Sequence, residues 1–497
     1  MAALVGSVYV SRNVQDSVSS SGVGMADSAR IEPAAEPEAG PTRGPLALLF
    51  KLAWPTALAR AGILLMALAD IVMVGRYDAQ ELAYASLGFS LFVPLLVTGI
   101  GLLMGVMILS AQAFGADDHQ EAGAVWRRGM PWALTLGAGA AVLCLFGETW
   151  LTLIGHEPQL AKGGGQVAHM LSVGVAAQLL YVVCVFHLEA TRRPLPGMIA
   201  MVVANVLNIA LNWVFIYGNL GAPELGAVGS AMTTSIVRVF LLVTLLIVVL
   251  RLENRQRYRI GLDWANCGFW GPGGWRAGAR MRRLGGAAGA SIFFETTAYA
   301  AVLQFAGYLG AGVLGAYAIA HNMEATIFMV ALGLSAATGV LVGNAAGAAN
   351  PAGAAQAAWL GLRVVLGVMV GSALLIWAFS DWIAAGYTND PTLAAQAAPL
   401  LALIGVAIIF DGAQLVMGQV ARALGDAWGA AKLYVIAFWG VLAPSAWLFG
   451  VYFDWGGQGL ILGVTLGCAT SFVMLWLRVR ALLAEMSAPP GKSELTV

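Results

Sequence analysis

Twelve apolar segments of bilayer-spanning length dictate what this chain can fold into. They fall at about 51–75, 88–112, 131–154, 167–190, 197–218, 228–250, 285–309, 313–341, 361–385, 395–420, 430–452 and 457–479. A helix of roughly 20 predominantly apolar residues crosses the hydrocarbon core. The expectation is therefore an all-α polytopic membrane protein. Charge agrees with it: only 10% of residues are charged and the mean hydropathy is +0.79, where a soluble domain carries about 25% charged residues. The 62 glycines suit helices that pack closely in lipid.

The longest polar break, Arg251–Arg283, divides the segments into two sets of six. This gives a lobe over 46–250, a basic inter-lobe loop over 251–284 and a second lobe over 285–480. Tails over 1–45 and 481–497 flank them. The first tail is rich in Ala, Ser, Glu, Pro and Gly and reads as disordered. Its Ala2–Val10 run is too short, and lacks the basic start, for a secretory signal. The lobes repeat: Ala83-Tyr84-Ala85 returns as Ala316-Tyr317-Ala318, Gly115-Ala116 as Gly347-Ala348, and Gly226 and Gly229 as Gly456 and Gly459, at offsets of 230 to 233 residues. Six helices per unit is an even number, so both copies enter from one side. They are then parallel repeats related by a pseudo-two-fold axis along the membrane normal.

All but four of the 26 basic residues (Arg60, Arg76, Lys162 and Arg238) fall in segments that share one side with the N-terminus. Positive loops mark the cytoplasmic face, so both termini are expected there, in a bacterial inner membrane. A net charge of zero makes no case for a nucleic-acid partner. Cys144, Cys184, Cys267 and Cys468 are far apart and form no CxxC, so neither a disulfide framework nor a zinc site is expected.

Acidic residues inside such helices point to ion or substrate paths. Asp70 lies in the first helix, about 27 Å from its inner end at 1.5 Å per residue. Asn208 and Asn212 are four apart and share a helix face, and with Asp70 they could hold a proton or cation and hydrogen-bond a substrate. Glu295 and Asp411 are both roughly 14–15 Å from the inner end of their helices. Two acids at matched depth suit oxygen coordination of Na⁺ or a proton relay. Glu324, one turn beyond His321, either pairs with it or faces a cavity. Glu189 sits beside Arg192 and Arg193 and reads as an interfacial ion pair. Arg60 either pairs with an acid or snorkels, and Arg238 lies about as deep on helix six; substrate contact is one reading of each.

At these residues the chain resembles the multidrug and toxic compound extrusion (MATE) family, in its NorM-type bacterial branch. The motifs run in order over about residues 46–480: LAWP and ADIVMVG, GLLMGVMILSAQAFGA, LNIALNWVFIYGNLGAPELGAVGSA, FFETTAYAAV, AIAHN and FDGAQLVMGQVARALGD. The resemblance implies antiport, in which cationic or amphipathic drugs leave as Na⁺ or H⁺ enters. It assigns Glu295 and Asp411 to the coupling cation, and Asp70, Asn208 and Asn212 to the first-lobe proton or substrate site. It marks Pro55 as the point near which helix one bends. Asn322 stands where the family usually has Gln, and with Glu324 and Gln414 it is expected to line the cavity. Ala407 stands where the branch often has a Tyr, one turn before Asp411.

The expected activity is thus a secondary multidrug antiporter working by alternating access. It would need no cofactor beyond the coupling ion and act as a monomer in the lipid bilayer on small drug-like molecules. The alternative is a lipid-linked oligosaccharide flippase, whose pyrophosphate substrate would require cavity cations, for which Arg60 and Arg238 are the candidates. No GxxxxGK[ST] motif offers ATP coupling, and His169, His187 and His321 form no HExxH, so no enzyme is expected.

Overall fold

A computed structural model describes residues 44–252, 255–260 and 274–488. The first tail to Arg43, part of the inter-lobe loop with Cys267, and the end of the second tail lie outside the described residues. The chain forms long helices: α1 (Pro45–Tyr77), α2 (Ala79–Gly115), α3 (His119–Leu145), α4 (Pro158–Ala190), α5 (Leu195–Phe215) and α6 (Gly226–Leu250) in the first lobe. The second lobe holds α7 (Ala279–Tyr308), α8 (Ala311–Gly347), α9 (Pro351–Tyr387), α10 (Pro391–Ala423), α11 (Ala427–Tyr452) and α12 (Gly456–Ser487). Eleven of these are long and apolar enough to cross a membrane. The twelfth, α7, has the length (30 residues) but begins with Arg280, Arg282 and Arg283 and carries Glu295. It starts at Ala279, six residues before the apolar segment read from the sequence.

Local chemistry sets the helix ends. Asp78, Asp118, Asn350, Asp390 and Asp426 accept from first-turn backbone N–H groups of α2, α3, α9, α10 and α11, the orphan donors of a helix start. Asp118 and Asn350 are repeat-related positions. α11 is the irregular member: π-helical turns at Ile436–Leu442 and Leu448–Tyr452 flank Pro444, whose missing N–H breaks the regular ladder. α1, by contrast, stays helical through Pro55. Apolar side chains such as Leu65, Leu68, Val206, Leu374 and Trp377 point outward and are exposed, as lipid-facing surface should be.

The lobes meet where α2 packs on α7, α1 on α8, and α2 on α8. The first two contacts are exchanged by the pseudo-two-fold, and the third is its self-contact. Small residues permit the approach. A methyl group added at Gly115 would collide with the Asn344 carbonyl, and one at Gly347 with the Gln112 carbonyl. Polar bonds reinforce this end. Asn344 donates to the carbonyls of Ala111 (2.9 Å) and Ala190 (3.3 Å), and Gln112 donates to that of Ala423 (2.8 Å). Arg280 donates to the Gln112 side chain at 3.1 Å. All of these sit at the end where α1 begins and α2 ends. Gly347→Val should therefore prevent closure of this end, giving folded protein in the membrane with transport reduced about tenfold or more, because overpacking a tight contact costs about 1–3 kcal/mol. Transport equal to that of the unsubstituted protein would contradict this reading of the contact.

Candidate functional site

Two separate polar clusters lie within the bundle, one per lobe. In the first, Asp70 reaches from α1 toward α5 and α6. Its Oδ1 accepts from Asn208 (3.1 Å) and Asn212 (2.6 Å), and its Oδ2 from the Thr234 hydroxyl (2.9 Å). Asn212 also donates to Asn208 at 3.3 Å, as their four-residue spacing allows. Asp70, Asn208, Asn212 and Thr234 are all buried. The structure thus brings together the three residues that the sequence singled out and adds Thr234. Asn205 turns away and bonds the Met201 carbonyl.

In the second lobe, one amide joins the two acids. Gln414 Nε2 donates to Asp411 Oδ1 (3.1 Å) and to Glu295 Oε1 (3.3 Å), while its Oε1 accepts from Ser471 (3.2 Å). Asp411 also receives the Cys468 thiol at 3.9 Å. A turn along α7 from Glu295, Tyr299 donates to Glu324 Oε1 (3.0 Å) and contacts Cys468 (3.5 Å). His321 Nδ1 meets Glu324 Oε2 at 3.1 Å. Glu324 therefore pairs with His321, the first of its two readings, and through Tyr299 and Cys468 it lies in the same network as Asp411. Carboxylate and amide oxygens are the hard donors that Na⁺ prefers, and the bonded acids and hydroxyls also suit protons. Asn322 joins neither cluster; it is exposed and accepts from Tyr387 at 3.0 Å. Gln414→Ala is expected to reduce ion-driven transport about tenfold, since a hydrogen bond to a charged group is worth about 1.5–3 kcal/mol. Asn322→Ala should change it less than about twofold. Equal effects would show that the amide bridge has no role.

The arginines correct one reading. Glu189 pairs not with its neighbours Arg192 and Arg193 but with Arg60 on α1, at 3.4 Å. The reason is the backbone: α4 ends at Ala190, and Arg192, at φ 61, turns toward α8, where its Nε donates to Asn344 Oδ1 (2.6 Å). Glu189 also lines a small crevice between the lobes, with Leu52 and Thr56 on its first-lobe side and Ala336, Ala337 and Val340 opposite. Arg238 lies elsewhere, stacked 4.3 Å above the Phe92 ring. The described cysteines, Cys144, Cys184 and Cys468, are free and buried.

Comparison with known proteins follows this geometry. A family model described as MatE matches residues 55–214 and 287–448, one stretch per lobe, at the offset of the internal repeat. The chain is 36% identical over 446 residues to a protein of Caulobacter vibrioides described as a probable multidrug resistance protein NorM, covering 88% of this chain and 93% of that one. A protein of Mesorhizobium japonicum with the same description is 30% identical over 450 residues, covering 88% and 94%. Among solved structures, the outward-facing conformation of a multidrug resistance MATE family transporter superposes with a TM-score of 0.80 at 20% identity, covering 89% of this chain and 97% of that one. At that identity the likeness speaks to the fold, a two-lobe helical bundle.

Proposed function

The chain belongs to the MatE family, and from that premise we propose that it is a secondary active multidrug efflux transporter exchanging cationic or amphipathic compounds for Na⁺ or H⁺. The observation that carries this is the separation of two buried acid clusters, one in each lobe, with no hydrogen bond between them among the described residues. One site for the driving ion and another for the drug is the minimum that antiport requires: each ligand must favour a different state of the same protein.

In this reading, Glu295, Asp411 and the amide of Gln414 receive the ion, and Asp70 with Asn208, Asn212 and Thr234 receives the drug. Alternation proceeds as the lobes rock about the α2–α8 contact. The basic loops place the closed end on the cytoplasmic side of a bacterial inner membrane in this reading, with both termini inside. The protein acts as a monomeric transporter rather than an enzyme, and no cofactor besides the ion is needed. The separation of Arg60, bound to Glu189, from Arg238 argues against the flippase, because a pyrophosphate needs cations that converge.

The test is efflux of a fluorescent organic cation from proteoliposomes under a Na⁺ gradient alone and under a pH gradient alone. Efflux driven by either names the ion. Efflux driven by neither, beside a working control transporter, would reject antiport.

A further inference from the structure

The loop that joins the lobes docks on one of them. Its residues Arg255–Ile260 form a compact knuckle. The N–H of Ile260 donates to the Arg255 carbonyl (3.0 Å) and that of Arg259 to the Gln256 carbonyl (3.1 Å), with Arg259 in the left-handed region at φ 48. Arg255, Arg257 and Arg259 are exposed, whereas Tyr258 and Ile260 are buried. The knuckle seats on the first lobe. Arg127 of α3 donates to the carbonyls of Tyr258 (3.1 Å) and Arg259 (2.6 Å). The Tyr258 ring lies 5.0 Å from that of His119, at the start of α3, and 5.7 Å from that of His187, near the end of α4. Gly123 gives this backbone room: a methyl group added there would collide with the Tyr258 carbonyl.

From Tyr258 a chain of contacts runs to the second lobe. His119 packs on Phe114 with ring centroids 5.8 Å apart, the Arg192 guanidinium lies 5.8 Å over the Phe114 ring, and Arg192 Nε donates to Asn344 Oδ1 on α8 (2.6 Å). Asn344 is the residue whose amide bonds the Ala111 and Ala190 carbonyls across the tight contact between the lobes. Burial of the Tyr258 ring favours docking. Against it, both ring nitrogens of His187 and Nδ1 of His119 are buried with no hydrogen-bond partner among the described residues. That is a cost which water would relieve once the knuckle lifted. Opposed contributions of this kind leave a contact poised between two states.

We propose that the Arg255–Ile260 knuckle is a latch on the contact between the lobes. Docked, Tyr258 holds His119 and Phe114 against Arg192 and keeps that arginine on Asn344, which favours the closed end. Lifted, it releases Phe114 and Arg192 and favours opening of that end. Tyr258 is thus a positioning residue and belongs to neither acid cluster. The inference rests on the rocking of the lobes in the export reading and adds what sets the balance between its two states.

The experiment measures spin-label distances between Gln120→Cys at the start of α3 and Ala352→Cys at the start of α9, two exposed, repeat-related positions at this end. It uses the full-length chain in liposomes, with Cys267→Ser to keep labelling to those two sites. The chain without further substitution should populate mainly the short distance. Tyr258→Ala should raise the ratio of long to short distances about tenfold. Tyr258→Phe, which keeps the ring, should leave it within about twofold. Gly123→Ala leaves the knuckle's own residues intact and suits a helix better than glycine does, yet should raise the ratio too, because its methyl displaces the Tyr258 carbonyl. A ratio unchanged by Tyr258→Ala overturns the inference, and so does an equal rise for Tyr258→Ala and Tyr258→Phe. Should Tyr258→Ala not accumulate, Gly123→Ala decides by the same criterion. A ratio that Na⁺, acid pH or a fluorescent organic cation moves, but neither Tyr258→Ala nor Gly123→Ala does, counts against the latch alone. A ratio moved by no ion, no cation and no substitution rejects the rocking of the lobes, and the export reading with it.

Discussion

Glu295→Gln together with Asp411→Asn will reduce ion-driven efflux to the leak of protein-free liposomes, a loss of about 100-fold, the upper range of coupling between two ligands on one protein. The substitutions keep size and an acceptor oxygen, so the Gln414 amide that donates to both residues at 3.3 and 3.1 Å retains its partners. What is lost is the negative charge that a Na⁺ would neutralise, or the basic oxygens that would take protons. Since one amide bridges the pair, each single substitution should cost nearly as much as both, the non-additivity expected of groups that act as a unit. Equilibrium binding of the drug without a gradient should stay within about threefold, because none of its proposed contacts is changed. Gradient-driven efflux at the unsubstituted rate in the double variant would remove the second lobe from ion coupling.

How much of this was legible without coordinates depended on how unusual each residue is for its surroundings. An Asp in an apolar helix and two Asn residues at i and i+4 are conspicuous in lipid, and Asp70, Asn208 and Asn212 do meet. Thr234, their fourth member, is silent in sequence. A helical Thr commonly bonds a carbonyl of its own preceding turn, as Thr56 and Thr338 do here, and nothing local distinguishes one that bonds across the bundle. Cys468 and Ser471 are hidden in the same way, as small residues among small residues on α12. Glu189 misleads for the opposite reason: adjacency to Arg192 and Arg193 suggests a pair, but a helix end with positive φ redirects the chain, and the partner comes from 129 residues away. Asn322 follows its motif by position, yet its side chain bonds Tyr387 rather than either cluster. Helix count and repeat were readable because both follow from apolar length and offset. Contacts between lobes follow from shape, which sequence pattern does not encode.

Asp70→Asn will separate the two clusters functionally. The variant is nearly isosteric, but its amide brings a donor to a place already filled by donors. Asn208 and Asn212 both donate to Oδ1, and Thr234 donates to Oδ2. The new Asn keeps its oxygen toward the two amides and turns its NH₂ toward Thr234, whose hydroxyl can rotate to accept. The local bonds are largely conserved, so the expected stability change is about 1 kcal/mol. Without the charge, a cationic drug loses its counter-ion in a buried site, and its export should fall about 10- to 100-fold, the consequence of losing a charge-assisted bond worth about 1.5–3 kcal/mol. Ion binding in the second lobe, read as Na⁺ binding or as proton release by detergent-solubilised protein, should stay within about twofold, since Glu295, Asp411 and Gln414 share no hydrogen-bond partner with Asp70. Should that single substitution eliminate all Na⁺ and H⁺ binding, the ion would have to pass through Asp70, and the assignment of ion and drug to separate lobes would be wrong.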